Sequence, residues 1–218
     1  MTTQKVNCQI CGKRYNAVTN SHTKSHGISL TEYKFLFGTS NSSVNHCSYQ
    51  GNTFTLHQCG LKSLAKSENH QLCILHDPDQ EKDSESFTST LQLLMRMSIG
   101  QKSDLHLEGT VFPSDFDVEN SVFEEKAYFS DCHFFGSANF SKTIFKKRAY
   151  FKGCRFQKDA DFFSAIFCEN VSFREAEFSQ KVSFVGAEFS SDAYFWNTKF
   201  NGTTLFSNVT FKDMFVRA

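Results

Sequence analysis

From Phe123 to Phe211 the chain places seventeen phenylalanines at spacings that alternate six, five, six, five without a break. They are Phe123, Phe129, Phe134, Phe140, Phe145, Phe151, Phe156, Phe162, Phe167, Phe173, Phe178, Phe184, Phe189, Phe195, Phe200, Phe206 and Phe211, and Leu107, Phe112 and Val118 extend the beat backwards. Few backbones accept such a pattern. Steps of five and six at about 100° per residue scatter side chains around a helix, and helical eleven-residue repeats use steps of three and four. In extended backbone, residues two apart face the same side. Two residues before each Phe from Phe129 onward stands a small or β-branched residue: Ala127, Cys132, Ala138, Thr143, Ala149, Cys154, Ala160, Ala165, Val171, Ala176, Val182, Ala187, Ala193, Thr198, Thr204 and Val209. Each unit therefore sends one large and one small group inward and the residue between them outward. Self-similarity at a short fixed period points to a β-solenoid, in which each short stretch turns a corner and stacks on the one below.

The stretches ADFFSAIFCEN, VSFREAEFSQK and VSFVGAEFSSD carry the unit most plainly. Through them residues 106–218 resemble pentapeptide-repeat proteins of the eleven-residue, five-plus-six kind. The resemblance implies a mainly β protein whose core is a right-handed quadrilateral β-helix with four units per coil. The twenty units from Leu107 to Phe211 then make five coils of 22 residues, a column about 24 Å tall. Burying each Phe contributes about 1.5–3 kcal/mol, so this length needs neither metal nor disulfide. Cys132 and Cys154 fall in small-residue positions and read as packing thiols.

The 218 residues carry 23 basic and 23 acidic side chains, eight cysteines and two prolines. No apolar stretch is long enough to cross a bilayer, so no membrane partner is expected. The start of the chain does not read as an export signal, and the cysteines cluster in metal-like spacings, so a cytoplasmic location is expected. The zero net charge hides an asymmetry. Residues 1–76 hold seven Lys or Arg against Glu32 and Glu68, whereas 107–211 hold eleven basic and fourteen acidic residues. The amino-terminal part is the electrostatic candidate for nucleic acid.

Cys8-Gln-Ile-Cys11, ten residues, then His22-Thr-Lys-Ser-His26 has the order and spacing of a Cys2His2 zinc site. Two thiolates on a knuckle and two imidazoles one helical turn apart can surround a tetrahedral ion, which a segment with so small an apolar core needs. Tyr15 is expected to pack behind the metal. Ser29-Leu-Thr-Glu32 reads as a capping box opening a second short helix that stops at Gly38. CQICGKRY followed by HTKSHGISLTEYKFLFG resembles the finger of the Ros/MucR class of bacterial transcriptional regulators. That resemblance implies zinc at Cys8, Cys11, His22 and His26 and duplex DNA contacted through residues 1–38 by Lys13, Arg14, Asn20, Thr23 and Lys24. The alternative is a structural knuckle that docks protein. A single finger reads about three base pairs and binds weakly alone.

A second constellation comprises Cys47, Cys59, Cys73 and His76, with His46, His57 and His70 near by. Its Cys73-Ile-Leu-His76 ending resembles that of small cysteine-rich modules preceding the solenoid in some pentapeptide-repeat proteins, which favours a second structural zinc, two ions in all. Alternatively, some of these thiols are simply buried. Catalytic zinc usually keeps an open coordination position and a nearby general base, and residues 47–76 offer only Glu68 as a carboxylate.

Asp77 to Glu85 reads as an acidic linker running into a helix whose apolar face takes Phe87, Leu91 and either Leu94 or Met95. This helix is expected to cap the open first coil, as solenoid ends require, or to dock a partner. The expected divisions are residues 1–40 for the finger, 41–80 for the second module, 81–105 for linker and capping helix, and 106–218 for the column. Met214, Phe215 and Val216 are expected to fold over the last coil or to join a second copy in a homodimer.

With a 22-residue turn, Tyr128, Tyr150 and Tyr194 share one face, with Lys152, Arg174 and Trp196 just beyond and Lys146, Lys147 and Arg148 at the adjoining corner. This aromatic and basic stripe is the expected face for a protein or nucleic-acid partner, since aromatic and Arg groups dominate interface energies. The alternative is a ladder of side chains that only stack on one another.

No nucleophile elbow, phosphate loop or dinucleotide fingerprint occurs, so the chain reads as a non-catalytic binding or scaffold protein. Its zinc-stabilised head would contact DNA or a DNA-bound protein, and its column would present a protein-recognition face. Some pentapeptide-repeat proteins imitate duplex DNA and protect DNA gyrase. That mimicry needs a strongly negative column, and here the net is only minus three, eleven basic against fourteen acidic residues. A purely structural adaptor is the third reading.

Overall fold

The computed structural model describes residues 6–10, 13–38, 47, 49, 59, 61, 63 and 72–212. It divides into two compact units, Met1–Asp77 with Asp83–Gln101, and Pro78–Lys82 with Lys102–Ala218.

In the first unit, β1 (Val6–Asn7) and β2 (Arg14–Tyr15) pair antiparallel, followed by α1 (Asn20–Lys24) and α2 (Leu30–Phe37). Thr19 caps α1 by accepting from the His22 N–H. The expected capping box opens α2: Ser29 accepts from the Glu32 N–H, and the Glu32 carboxylate accepts from the Ser29 N–H at 2.7 Å. Gly38, at φ 78°, closes it. The helix expected after the acidic linker is α3 (Ser84–Gln101). Its start lies inside the stretch read as acidic linker, because Asp83 Oδ2 accepts from the Ser86 N–H at 2.9 Å and so opens the helix. Arg96 on α3 pairs with Glu32 on α2, which with the capping bond holds the Glu32 carboxyl below its ordinary pKa.

The second unit is the column. Its strands are dipeptides in four five-stranded parallel sheets, each residue pairing with the one 22 positions on. The first face holds Leu105–His106, Ala127–Tyr128, Ala149–Tyr150, Val171–Ser172 and Ala193–Tyr194. The second, third and fourth follow in chain order, beginning at Val111–Phe112, Phe116–Asp117 and Val122–Phe123. A five-coil β-solenoid is thus the observed architecture, as the phenylalanine beat predicts.

The rings make the interior. Phe140, Phe162 and Phe184 stack at 5.0 Å per step and within 7° of parallel, while Phe151 meets Phe162 edge-on at 5.5 Å and 84°. Each ring thus has parallel neighbours along the axis and perpendicular ones across it, both favourable for aromatic quadrupoles. The small partners fill what the rings leave. Cys132 and Cys154 donate their thiols to the carbonyls of Leu107 and Phe129 at 3.0 and 2.9 Å, and burial pushes the Cys132 thiol well above its ordinary pKa. Both are packing thiols. Thr198 repeats this bond to Phe173 O at 2.7 Å. Thr110 holds the same place in the first coil, where no coil precedes, and its buried hydroxyl finds no partner among the described residues.

A second period turns the corners. Gly109, Asn120, Asp131, Lys142, Gly153, Ser164, Glu175, Gly186, Asn197 and Asn208, eleven residues apart, all have φ between 52° and 69°. This left-handed conformation favours Gly, Asn and Asp, and each such residue sits within a five-residue step of the Phe series. Gly136 serves differently: a Cβ there would stand 2.3 Å from the Asp115 backbone nitrogen of the coil before. Gly136→Ala is therefore expected to cost about 1–3 kcal/mol by overpacking, read as a lower thermal midpoint, with Ser137→Ala as the unaffected neighbour.

Among the described residues no helix is long and apolar enough to cross a membrane. Met214, Phe215 and Val216 lie outside the described residues. In the last coil Phe200, Phe206 and Phe211 are 36, 42 and 44% exposed.

Candidate metal centres and a candidate recognition face

The ligand atoms of Cys47, Cys59, Cys73 and His76 all lie within 4.8 Å of one another, and all four residues are buried. Cys59 Sγ is 3.8 Å from Cys73 Sγ, and His76 Nδ1 is 3.3 and 3.2 Å from the sulfurs of Cys47 and Cys73. A tetrahedron with thiolate arms of about 2.3 Å and imidazole arms of about 2.0 Å has edges near 3.8 and 3.5 Å. The donor set therefore fits one tetrahedral ion. A tight turn brings Cys73 and His76 together, with the His76 and Asp77 N–H groups both donating to Cys73 O. The Cys73 N–H points at Cys47 Sγ at 3.3 Å, and Tyr49 stacks on the His76 ring at 4.0 Å and 9°. Tyr49 was not singled out from sequence, because nothing in its spacing marks it as a ring partner.

The four donors compete for protons at close quarters. Hydrogen bonds with Cys59 and Cys73 push the Cys47 thiol down, and contacts with Cys47 and Cys73, with burial, push the Cys59 thiol up. Burial lowers the His76 pKa, but hydrogen bonds to Cys47 and Cys73 outweigh it and raise the value to about 10. A metal taken up by this set would displace those protons, so its affinity would rise with pH. With four protein donors the tetrahedron is closed, the pattern of structural sites.

The first centre brings Cys8, His22 and His26 together. His26 Nε2 is 3.7 Å from Cys8 Sγ and 3.2 Å from His22 Nε2, again near tetrahedral edges. Cys11 lies outside the described residues. The Cys8 N–H donates to Lys13 O at 2.9 Å to form the knuckle, and Tyr33 on α2 accepts from the Gln9 N–H at 3.0 Å, tying α2 to it. Tyr15 packs against the His22 ring at 4.2 Å. Burial, helped by His22, holds the His26 imidazole below its ordinary pKa and favours the neutral ring a metal takes.

Of the residues expected to meet DNA, Lys13, Arg14 and Lys24 are exposed. Thr23 is wholly buried and donates to Asn20 O at 3.2 Å. Asn20 is exposed, but its Oδ1 accepts from the Leu30 N–H at 3.2 Å and so anchors the start of α2. Both side chains hold the fold here, which removes Thr23 from the contact set and leaves Asn20 already engaged.

On the first face of the column, Tyr128 and Tyr150 stack at 4.7 Å and 3°. His106, one coil earlier and not singled out from sequence, extends the stack at 4.7 Å and 5°; its position 22 residues before Tyr128 was the available signal. Arg174 lies over the Tyr194 ring, its Cζ 4.6 Å from the centroid. A hydrogen bond to Tyr150 raises the Arg148 pKa. Trp196 is 54% exposed. The lysines of the stripe differ from the arginines: Lys152 pairs with Glu175, Lys146 with Glu124 and Lys147 with Glu169. The stripe is therefore a stacked ladder edged by two arginines and by lysines that pair with carboxylates.

No curated protein and no solved structure matches the chain. One family does: Pentapeptide repeats (9 copies), over residues 119–166 and again over 162–210. The match covers the coils whose rings, register and corners repeat, and the column is accordingly a pentapeptide-repeat β-helix.

Proposed function

We propose that the protein is a non-catalytic binding protein. Zinc at the two centres holds the amino-terminal unit together, that unit engages duplex DNA or a protein bound to it, and the column displays a recognition face. The observation that carries the reading is the surplus of unneutralised cations at the first centre. Lys13, Arg14 and Lys24 are exposed beside the Cys8, His22 and His26 cluster, with no carboxylate at ion-pairing distance among the described residues. The resemblance to Ros/MucR fingers supports the same assignment. Zinc suits the donor sets, since mixed thiolate and imidazole tetrahedra are its preferred structural site. The exposed rings of the last coil support self-association there as part of this reading.

The gyrase-protecting mimic has no such support. Among the described residues seven lysines of the column pair with carboxylates from coil to coil, so the acidic residues do not sum to a continuous negative field.

Binding to duplex DNA measured against salt tests the head. Affinity is expected to fall linearly on logarithmic axes, by about 0.9 in slope per phosphate contacted. Joint Lys13→Glu and Arg14→Glu replacement should remove most of it, and joint Cys8→Ser and Cys11→Ser replacement should abolish it while lowering metal content from two ions to one. Wild type that shows no salt-dependent duplex binding overturns the DNA reading and leaves the protein-only adaptor.

A further inference from the structure

Two helices of the first unit each reach both candidate metal centres. On α2 the Tyr33 hydroxyl accepts from the Gln9 N–H at 3.0 Å, in the knuckle that carries Cys8. One turn further on, the buried Leu36 lines a pocket of about 120 Å³ together with Leu61, Cys73 and Ile74 of the second centre. On α3, Ser86 and Thr90 line that same pocket, whereas Gln101, the last residue of the helix, donates from Nε2 to the His26 carbonyl of the first centre at 3.3 Å. From Ser86 to Gln101 the helix rises about 22 Å, and between them Arg96 pairs with Glu32 and joins α3 to α2. Neither cluster can be ordered without fixing helices that the other also uses. Ordering α2 and α3 costs conformational entropy, and whichever centre loads first meets that cost for both.

We propose that the two centres are coupled through α2 and α3, so that metal at Cys47, Cys59, Cys73 and His76 tightens metal at Cys8, His22 and His26. By linkage the first centre tightens the second by the same factor. Two modules joined only by a flexible segment would load independently. Here singly loaded chains are scarce, and the unit passes from metal-free to doubly loaded over a narrow range of free metal. The amino-terminal unit is thereby a sensor of metal supply. Lys13, Arg14 and Lys24 stand on the segment that the first centre orders, so metal at the second centre controls whether these cations are held in place for a partner. That last step rests on the head being the part that contacts DNA.

The test titrates the full, metal-free chain with Co2+ alone, whose absorption separates the two centres by their number of thiolates, and then with Zn2+ against a chromophoric chelator. Joint Cys8→Ser and Cys11→Ser replacement is expected to leave one ion at saturating metal but to weaken it about 5–150-fold, and joint Cys47→Ser and Cys59→Ser replacement should weaken the first centre by the same factor. Joint Tyr33→Phe and Gln101→Ala replacement keeps every ligand and removes two of the ties. On its own this chain should load with a shallower titration than wild type. In its background, loss of Cys8 and Cys11 should cost the second centre less, by about threefold or more. Wild type that loads in two independent steps overturns the coupling, as does a second centre whose affinity ignores loss of the first. Equal losses in the two backgrounds overturn the route through Tyr33 and Gln101. No DNA enters these titrations, so a head that binds no duplex removes the DNA reading and leaves the coupling to be judged by metal alone. Duplex binding that persists unchanged after Cys47→Ser and Cys59→Ser replacement at limiting metal overturns the control of the head.

Discussion

Alanine in place of Phe162 is expected to lower the unfolding free energy of the column by about 3–5 kcal/mol. The ring is fully buried, stacked on Phe140 and Phe184 at 5.0 Å and met edge-on by Phe151 and Phe173 at 5.5 and 5.3 Å. Removing it opens a cavity that backbones locked in ladders above and below cannot close, so the transfer cost and the cavity cost add. Denaturant unfolding of the two chains gives the difference directly. Phe206, at the open end and 42% exposed, is the comparison, with an expected cost of about 1–2 kcal/mol for the same truncation. Equal losses at the two positions would contradict a core built from axial ring stacks.

Loss of the second metal centre should have a still larger effect, confined to the amino-terminal unit. Structural zinc in small domains carries an apparent binding free energy of about 10–16 kcal/mol near neutral pH, and that energy is folding energy. Cys73 links the cluster together, with Cys59 and His76 on its sulfur and its own N–H directed at Cys47. Cys73→Ser, or a strong chelator, is therefore expected to erase the helical circular dichroism of α1, α2 and α3. The β signal of the column should persist, since its ladder bonds run between its own coils. Helical signal that survives chelation would show that apolar packing alone holds the first unit.

The column was legible because one constraint repeats. Each Phe has to meet its counterpart 22 residues on, and that requirement is written at every level from Phe112 to Phe211. The corner rule was harder to see. Seven of its ten positions are Gly, Asn or Asp, but Lys142, Ser164 and Glu175 adopt the same left-handed backbone, held there by the strands on either side. Tertiary structure imposed what local preference only suggested. The thiols and imidazoles that the structure gathers into two clusters were legible from chemistry, since such groups at short spacing have few other uses, whereas the fates of Asn20 and Thr23 depended on which way α1 turned its polar side chains. Asp83 is hard to pick out for a related reason. In a run of acidic residues, the one that opens a helix differs from its neighbours only in having the Ser86 N–H within reach.

The register of 22 has a consequence for how such a gene can change. A single inserted or lost codon inside a coil would shift every later ring by one place, turning a buried Phe outward and a charged neighbour inward. A duplicated block of 22 codons would instead add one complete storey, with its rings, corners and ladder bonds already matched to the floors on either side. Length in this lineage should therefore come in whole storeys, and relatives of different height should differ by that quantum while keeping the same four walls.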